Sequence, residues 1–328
     1  MKAIHVHAYG GPDVLRLEEA PDPQPEAREV LVRVAAAAVT PLDALTPLDA
    51  LTRAEHDPMG QTALPYTPGI EAAGTVAAVG AGVVGLAVGD RVYITGSRDG
   101  TYAELAVCAA GQVHPLPATV SFAQGAAVGG YYTAYAALFL RAKAQPGETV
   151  LVHGATGGVG IAAVQLARAA GLTVIGTGGA ERGRQLITAQ GAQHVVAHDA
   201  PDADARIRAL TGGRGVDVIL EMRGDANVGH DLGLLATRGR VVVVGFGHPG
   251  PVGIMLPALL AGDLSILGLS LDNLDADAWT RIVAAVGAGL ETGTLRPVVG
   301  QEYPLAAGPR AHAALARPGA HGRIVLIP

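Results

Sequence analysis

Cysteine is almost missing from this chain, with Cys108 the only one in 328 residues. One thiol can neither close an intrachain disulfide nor supply a cysteine-based zinc cluster. Charge is sparse too. Charged residues make up 16% of the chain, the formal net charge is −6, and lysine occurs only at Lys2 and Lys143. Without a basic run, a dedicated nucleic-acid surface is not expected. No uninterrupted apolar stretch reaches the length of a membrane-spanning helix. The start, Met1-Lys2-Ala3-Ile4-His5-Val6-His7, alternates like a strand and has no apolar signal core, so a cytoplasmic protein is expected. What the chain does have is hydrophobic content, 49%. At this length that suffices for a sizeable core and suggests two domains.

The most informative stretch is His153-Gly154-Ala155-Thr156-Gly157-Gly158-Val159-Gly160. An apolar run, 149–152, precedes it and reads as a buried strand. The small and apolar residues 161–170 follow and suit a helix packed on a sheet. Strand, glycine turn and helix start together make a pyrophosphate site, where glycines admit the ligand and unpaired amides face its charge. The pattern is A-x-G-x-x-G, with Ala155, Gly157 and Gly160 in the three fingerprint positions. A glycine fingerprint alone is weak, but its placement between strand and helix favours dinucleotide binding.

The first third reads as β-rich, with short strand candidates at 30–34, 74–79 and 90–94. From Ala123 strand and helix alternate. Strand candidates at 149–152, 173–177, 194–197, 216–220 and 240–244 imply βαβ units around a parallel sheet. Residues 265–269 could form its last strand, and a helix is expected at 276–290. The terminal strand 323–327 has no partner nearby in sequence and is expected to pair back into the N-terminal β region. A tandem repeat, Pro41–Thr46 and Pro47–Thr52, gives two copies of a helix start, each with a preceding threonine as N-cap and proline at N1. Pro47 inside a helix begun at Pro41 would cost about 3 kcal/mol. One copy is therefore expected to start a helix and the other to form a loop or single turn.

Cofactor choice turns on the end of the second strand of the βαβ unit. An acid there would bind the ribose 2′-hydroxyl of NAD and repel a 2′-phosphate. Here the place is Thr177, followed by Gly178 and Gly179, and Glu181 fits the first turn of the next helix instead. Arg182 and Arg184 are near enough to meet a phosphate. NADPH is the expected cofactor.

Several segments together resemble the quinone oxidoreductase (zeta-crystallin-like) branch of the medium-chain dehydrogenase/reductases that lack zinc. They are Leu64-Pro65-Tyr66-Thr67-Pro68-Gly69, Gly89-Asp90-Arg91-Val92, Gly125-Ala126-Ala127, Tyr132-Thr133-Ala134-Tyr135, 152–160 and Tyr303-Pro304-Leu305. The resemblance covers nearly the whole chain in order. It implies an α/β fold with a GroES-like catalytic domain from both termini, residues 1–122 and 263–328, and an inserted doubly wound Rossmann domain, residues 123–262. A cofactor cleft between the domains and a homodimer or homotetramer are implied as well. Carried over position by position, Thr156, Gly157, Gly158 and Val159 match the pyrophosphate turn, and Gly179 matches the loop for the phosphorylated ribose. His198 matches a residue beside the adenosine, and Asn227 a position after the fourth strand. Val244, Gly245, Phe246 and Gly247 match the turn under the nicotinamide, and Leu269, Ser270 and Leu271 the segment closing it.

Departures from the wider superfamily bear on mechanism. Zinc-dependent relatives carry ligands where Ala37 and Ile70 stand here, and neither side chain can coordinate a metal. Thr40-Pro41 replaces the Asn-Pro of many quinone reductases, and Leu45 or Leu51 replaces a following tyrosine. A quinone or activated enone accepts electrons without strong electrophilic help, so the protein has chiefly to position it. Pocket candidates are Thr40, Tyr66, Tyr131 and Tyr135, and for the three tyrosines the competing reading is core packing with satisfied hydroxyls. Eleven histidines read as scattered singly. Expected activities are, first, NADPH:quinone reduction, and second, NADPH-dependent reduction of unsaturated aldehydes, ketones or thioesters. The resemblance also allows a non-enzymatic crystallin-like or RNA-binding role, against which the low basic content speaks.

Overall fold

The computed structural model describes residues 1–43, 64–248, 250–317, 319 and 321–328. They fall into two compact units, Met1–Gly129 with Pro297–Pro328, and Gly130–Arg296. The sequence boundary at 122/123 thus moves to Gly129/Gly130, and the one at 262/263 moves to Arg296/Pro297. The second shift has a simple cause. The strand at 265–268 completes the parallel sheet, and the helix after it stays with that unit.

The first unit opens with β1 (Lys2–Val6) and β2 (Leu15–Glu19), an antiparallel ribbon. β3 (Glu29–Val39) is the long central strand, pairing antiparallel with β4 (Ala72–Val79) on one edge and, over Glu29–Arg33, with β6 (Leu105–Ala109) on the other. β5 (Arg91–Ile94) joins β4 to β7 (Val113–Pro115), and a short helix α1 (Phe122–Ala126) follows. Ser121 starts α1 with a reciprocal capping box to Gln124. Positions on β3, β4 and β5 fill a core of Val30, Val32, Val34, Val76, Val92 and Ile94. Of the repeat, only Pro41–Asp43 lies among the described residues, and it is helical. The Thr40 amide donates to Asp43 Oδ2 at 2.8 Å, and the Asp43 amide donates to Thr40 Oγ1 at 3.3 Å. The first copy therefore begins a helical turn with Thr40 as its cap. The rest of the first copy, with Leu45, and the whole second copy, with Leu51, lie outside the described residues.

The second unit begins with α2 (Gly129–Tyr135), continued by a π-turn at Ala136–Arg141. Then β8 (Thr149–Val152), α3 (Gly158–Ala169), β9 (Thr173–Thr177), α4 (Glu181–Gln190) and β10 (His194–Val196) make one half. α5 (Ala203–Leu210), β11 (Val216–Glu221), α6 (Gly224–Asp231) and β12 (Leu235–Val243) lead into the other. It closes with α7 (Leu256–Ala261), β13 (Ser265–Gly268) and α8 (Ala276–Glu291). The sheet is wholly parallel, ordered β10-β9-β8-β11-β12-β13. Strand order reverses between β8 and β11, which is where α/β sheets open a crevice beyond their carboxyl ends. The central strands are buried on both faces and accordingly read as continuous apolar runs.

The chain then returns to the first unit through β14 (Val299–Pro304), α9 (Gly308–Leu315) and β15 (Arg323–Ile327). β15 pairs antiparallel with β3, as the sequence suggested. It also has a near partner the sequence reading missed, since β14 lies parallel to it with α9 as the crossover.

Candidate cofactor and active site

Ala155, Thr156 and Gly157 carry the chain from β8 into α3. Gly154 has φ +59°, a conformation suited to glycine, and the Gly157 amide donates back to its carbonyl at 3.1 Å. Gly160 is fixed by space. A Cβ there would lie 2.4 Å from the Gly154 oxygen and 2.6 Å from Ala155 Cα. Gly157 is the N-cap and no side chain caps α3, nor does an acid stand in its first turn. The amides of Gly158, Val159 and Gly160 thus begin a three-turn helix in a form suited to an anion.

At the end of β9, Thr177 is buried and its hydroxyl lies 3.2 Å from His153 Nδ1. It therefore faces the neighbouring strand and is not a free ribose ligand. The next two residues keep the approach open. A Cβ on Gly179 would sit 3.3 Å from the His198 ring, so Gly179 and His198, far apart in sequence, form one corner. Arg184 is partly engaged, donating to the Gly179 carbonyl and pairing with Glu181 at 2.6 Å. Arg182 is exposed and has no acidic partner among the described residues. No acid occupies the end of β9. These features fit a dinucleotide with a 2′-phosphate, whose pyrophosphate Gly157–Gly160 could hold and whose ribose Gly178, Gly179 and Arg182 could meet.

Past β12, the backbone Val244–Gly247 is shaped by neighbouring groups. The Val244 amide donates to the Glu221 carbonyl at 2.8 Å, and the Gly247 amide donates to Asp225 Oδ1 at 2.6 Å. That backbone bond is the leading reason the Asp225 carboxyl is held below the ordinary carboxylate range. Phe246 is half exposed, at 52%. After β13, Ser270 accepts from the Asp272 amide at 3.3 Å and caps a short 3₁₀ turn from Leu271, with Leu269 just before it. The carried-over turn and closing segment thus lie beyond the carboxyl ends of adjacent strands β12 and β13. Asn227 does not offer a free amide, because its Nδ2 donates to Glu221 Oε1 at 3.2 Å.

Sequence reading missed a buried cluster at the strand switch. His153 Nε2 lies 3.2 Å from Asp231 Oδ1 and 3.8 Å from Glu221 Oε2, and both carboxylates are fully buried. Burial alone would lower the imidazole, but the Asp231 hydrogen bond and the two negative charges outweigh it and raise its pKa. Burial pushes the Glu221 carboxyl up, against the pull of His153. The available signal was positional. His153 directly follows β8, before the fingerprint, and Glu221 ends β11, so parallel pairing brings them together.

The pocket candidates divide. Tyr131 is buried and donates to Gln165 Oε1 at 2.8 Å, and Gln165 also binds the Arg296 backbone. The Tyr131 hydroxyl is engaged in the core. Tyr135 stacks edge-on against Phe139 at 4.9 Å. Thr40 is buried and its hydroxyl oxygen is used as the helix cap. Tyr66 alone keeps a buried hydroxyl without a hydrogen-bond partner among the described residues. Burial pushes that hydroxyl well above the usual phenol range. Ala37 is wholly buried on β3 against Ala72 and Leu326, and Ile70 is apolar. Neither side chain offers an atom that could coordinate a metal.

Residues 26–118 match the alcohol dehydrogenase GroES-like domain profile, and residues 158–286 match the profile described as zinc-binding dehydrogenase. The chain is 41% identical to the quinone oxidoreductase of Rattus norvegicus, over 100% of its own length and 98% of the relative's. This chain belongs to the quinone oxidoreductase family. Its members are oxidoreductases of the medium-chain dehydrogenase/reductase superfamily, and so is this protein. Among solved structures, Escherichia coli quinone oxidoreductase complexed with NADPH matches with TM-score 0.88 and 31% identity, covering both chains fully. An NAD-dependent alcohol dehydrogenase matches with TM-score 0.89 and 31% identity, also over both whole chains. Membership in the family therefore leaves cofactor choice to the residues after β9. No helix among the described residues is long and apolar enough to cross a membrane.

Proposed function

We propose that this protein is an NADPH-dependent, zinc-independent quinone reductase. The observation that carries the cofactor reading is the end of β9. An acid-free Thr177-Gly178-Gly179 run leads into exposed Arg182, beside the uncapped start of α3. Bound NADPH supplies the reducing equivalent. Gly157–Gly160 hold the pyrophosphate through backbone amides. Gly178 and Gly179 leave room for the phosphorylated ribose, with His198 flanking it and Arg182 supplying charge. Val244–Gly247 present backbone to the nicotinamide end, and Leu269–Leu271 cover it. A conjugated acceptor needs no Lewis acid, which suits apolar Ala37 and Ile70. Tyr66 is the residue we assign to the acceptor oxygen, as its buried hydroxyl lacks a partner among the described residues. We include self-association in this reading. It is supported by β13, one of the two edge strands of the parallel sheet, and by exposed Met255 and Leu260 around α7.

The test compares oxidation of NADPH and NADH with an ortho-quinone and with short-chain enones. Quinone turnover with NADPH preferred at least tenfold is expected. Arg182→Ala should raise the KM for NADPH five- to fiftyfold and leave that for NADH nearly unchanged. Equal use of both nucleotides by the native protein would overturn the cofactor assignment. A saturated enone product with little quinone turnover would replace the acceptor.

A further inference from the structure

The two histidines nearest the N-terminus are not scattered singly once β1 and β2 pair. Strand periodicity puts Ile4 and Val6 against the core, 1% and 0% exposed, and turns His5 and His7 to the other face. Glu18, on β2, reaches both. Its Oε2 is 3.2 Å from His5 Nδ1, and its Oε1 and Oε2 are each 3.0 Å from His7 Nε2. One donor atom from each of the three residues lies within 4.8 Å of the other two. All three side chains remain open to solvent, at 24%, 48% and 36% exposure.

We propose that His5, His7 and Glu18 form a binding site for one borderline-soft divalent cation of the zinc type. Two imidazoles and a carboxylate are a donor set that zinc accepts, with ligand distances of about 2.0–2.2 Å. A tetrahedron of that radius has edges of roughly 3.3–3.6 Å. The imidazole-to-carboxylate separations, 3.2 and 3.0 Å, are slightly shorter than this, and the two imidazole nitrogens lie within 4.8 Å of each other, so side-chain rotation has to bring all three onto one ion. Imidazole nitrogen selects against calcium and magnesium, which take oxygen. Exposure leaves room for water to complete the coordination. Arg16, opposite His5 in register, is exposed and is the neighbouring cation on this face. The site is separate from the positions of Ala37 and Ile70, and it draws on the first ribbon alone. It clips β1 to β2, so its effect is on binding and stability of that ribbon, independent of the proposed reductase activity.

The experiment uses the full chain without an affinity tag, stripped by chelator and titrated calorimetrically with zinc chloride. One zinc per chain is expected, together with a zinc-dependent rise in unfolding temperature. His7→Gln and Glu18→Gln should each weaken binding at least tenfold and abolish that rise. His230→Gln, at an exposed histidine on α6, should leave both intact. Absence of zinc binding by the native chain overturns the site. So does equal affinity in His7→Gln or a tenfold loss in His230→Gln. Circular dichroism of the variants, unchanged because these side chains are on the surface, distinguishes a lost ligand from a lost fold.

Discussion

At the residue scale, this fold leaves very little freedom at the fingerprint's last glycine. The Gly160 position faces backbone atoms of Gly154 and Ala155, which cannot rotate aside as a side chain could. Gly160→Ala should therefore displace the turn, reducing NADPH affinity at least tenfold and stability by about 1–3 kcal/mol. Nucleotide fluorescence titration and urea unfolding check the two effects separately. His153 makes a different case. Removing one partner from a buried ionic group leaves charge uncompensated, and His153→Gln strands Glu221 and Asp231. A loss of about 3–5 kcal/mol is expected by urea unfolding at neutral pH. Paired replacement of His153, Glu221 and Asp231 by apolar residues should recover much of it. The glycines were legible in the sequence because they form a local pattern. The ionic cluster was not, since strand pairing joins His153 to Glu221 and the end of α6 adds Asp231, 78 residues beyond His153.

At the element scale, the helical turn opened by Thr40 meets α9 through Tyr102. Tyr102 donates its hydroxyl to Asp43 Oδ2 at 3.4 Å, and with that tautomer His312 Nε2 donates to the Tyr102 oxygen at 3.1 Å. Burial lifts the Asp43 carboxyl to about 6, and burial drops the His312 imidazole to about 4. The two groups act in opposite directions on stability. A raised carboxyl contributes fully below its unfolded value near 4 and loses that contribution as pH rises through 6. A depressed imidazole contributes above its unfolded value near 6.5 and loses it as pH falls through 4. Asp43→Asn should thus gain on the native protein by up to about 3 kcal/mol between pH 4 and 6.5. His312→Gln should lose less than the native protein does on acidification over the same range. Urea midpoints at four pH values decide it, and slopes identical to the native protein in both variants would refute the assignment. The capping role of Thr40 could be read from Thr-Pro-x-Asp. Its burial could not, because the partner on α9 is contributed by the far end of the chain.

At the scale of the whole molecule, the alternation of strand and helix from Ala123 onward made the parallel sheet legible, and the unpartnered terminal strand made the return to the β unit legible. The C-terminal boundary was not. A short apolar strand at 265–268 reads the same whether it closes a parallel sheet or opens the next unit, and only its pairing with β12 decides. That pairing leaves β13 at the sheet edge, with Ile266 36% exposed and Leu260 on nearby α7 75% exposed. An uncovered edge and apolar surface of this kind invite a second copy of the chain. Light scattering after size exclusion is expected to give a dimer or larger, and Ile266→Lys should shift it toward monomer. Cofactor linkage gives an independent readout of the same unit. A ligand bound only to the native state adds about 2.7 kcal/mol at a hundredfold excess over its dissociation constant. Scanning calorimetry of the Ile266→Lys protein at equal NADPH and NADH concentrations should therefore show the larger upward shift with NADPH. An equal shift from both nucleotides would mean that Gly178, Gly179 and Arg182 do not distinguish the 2′-phosphate. A smaller shift with NADPH than with NADH would reverse the cofactor preference.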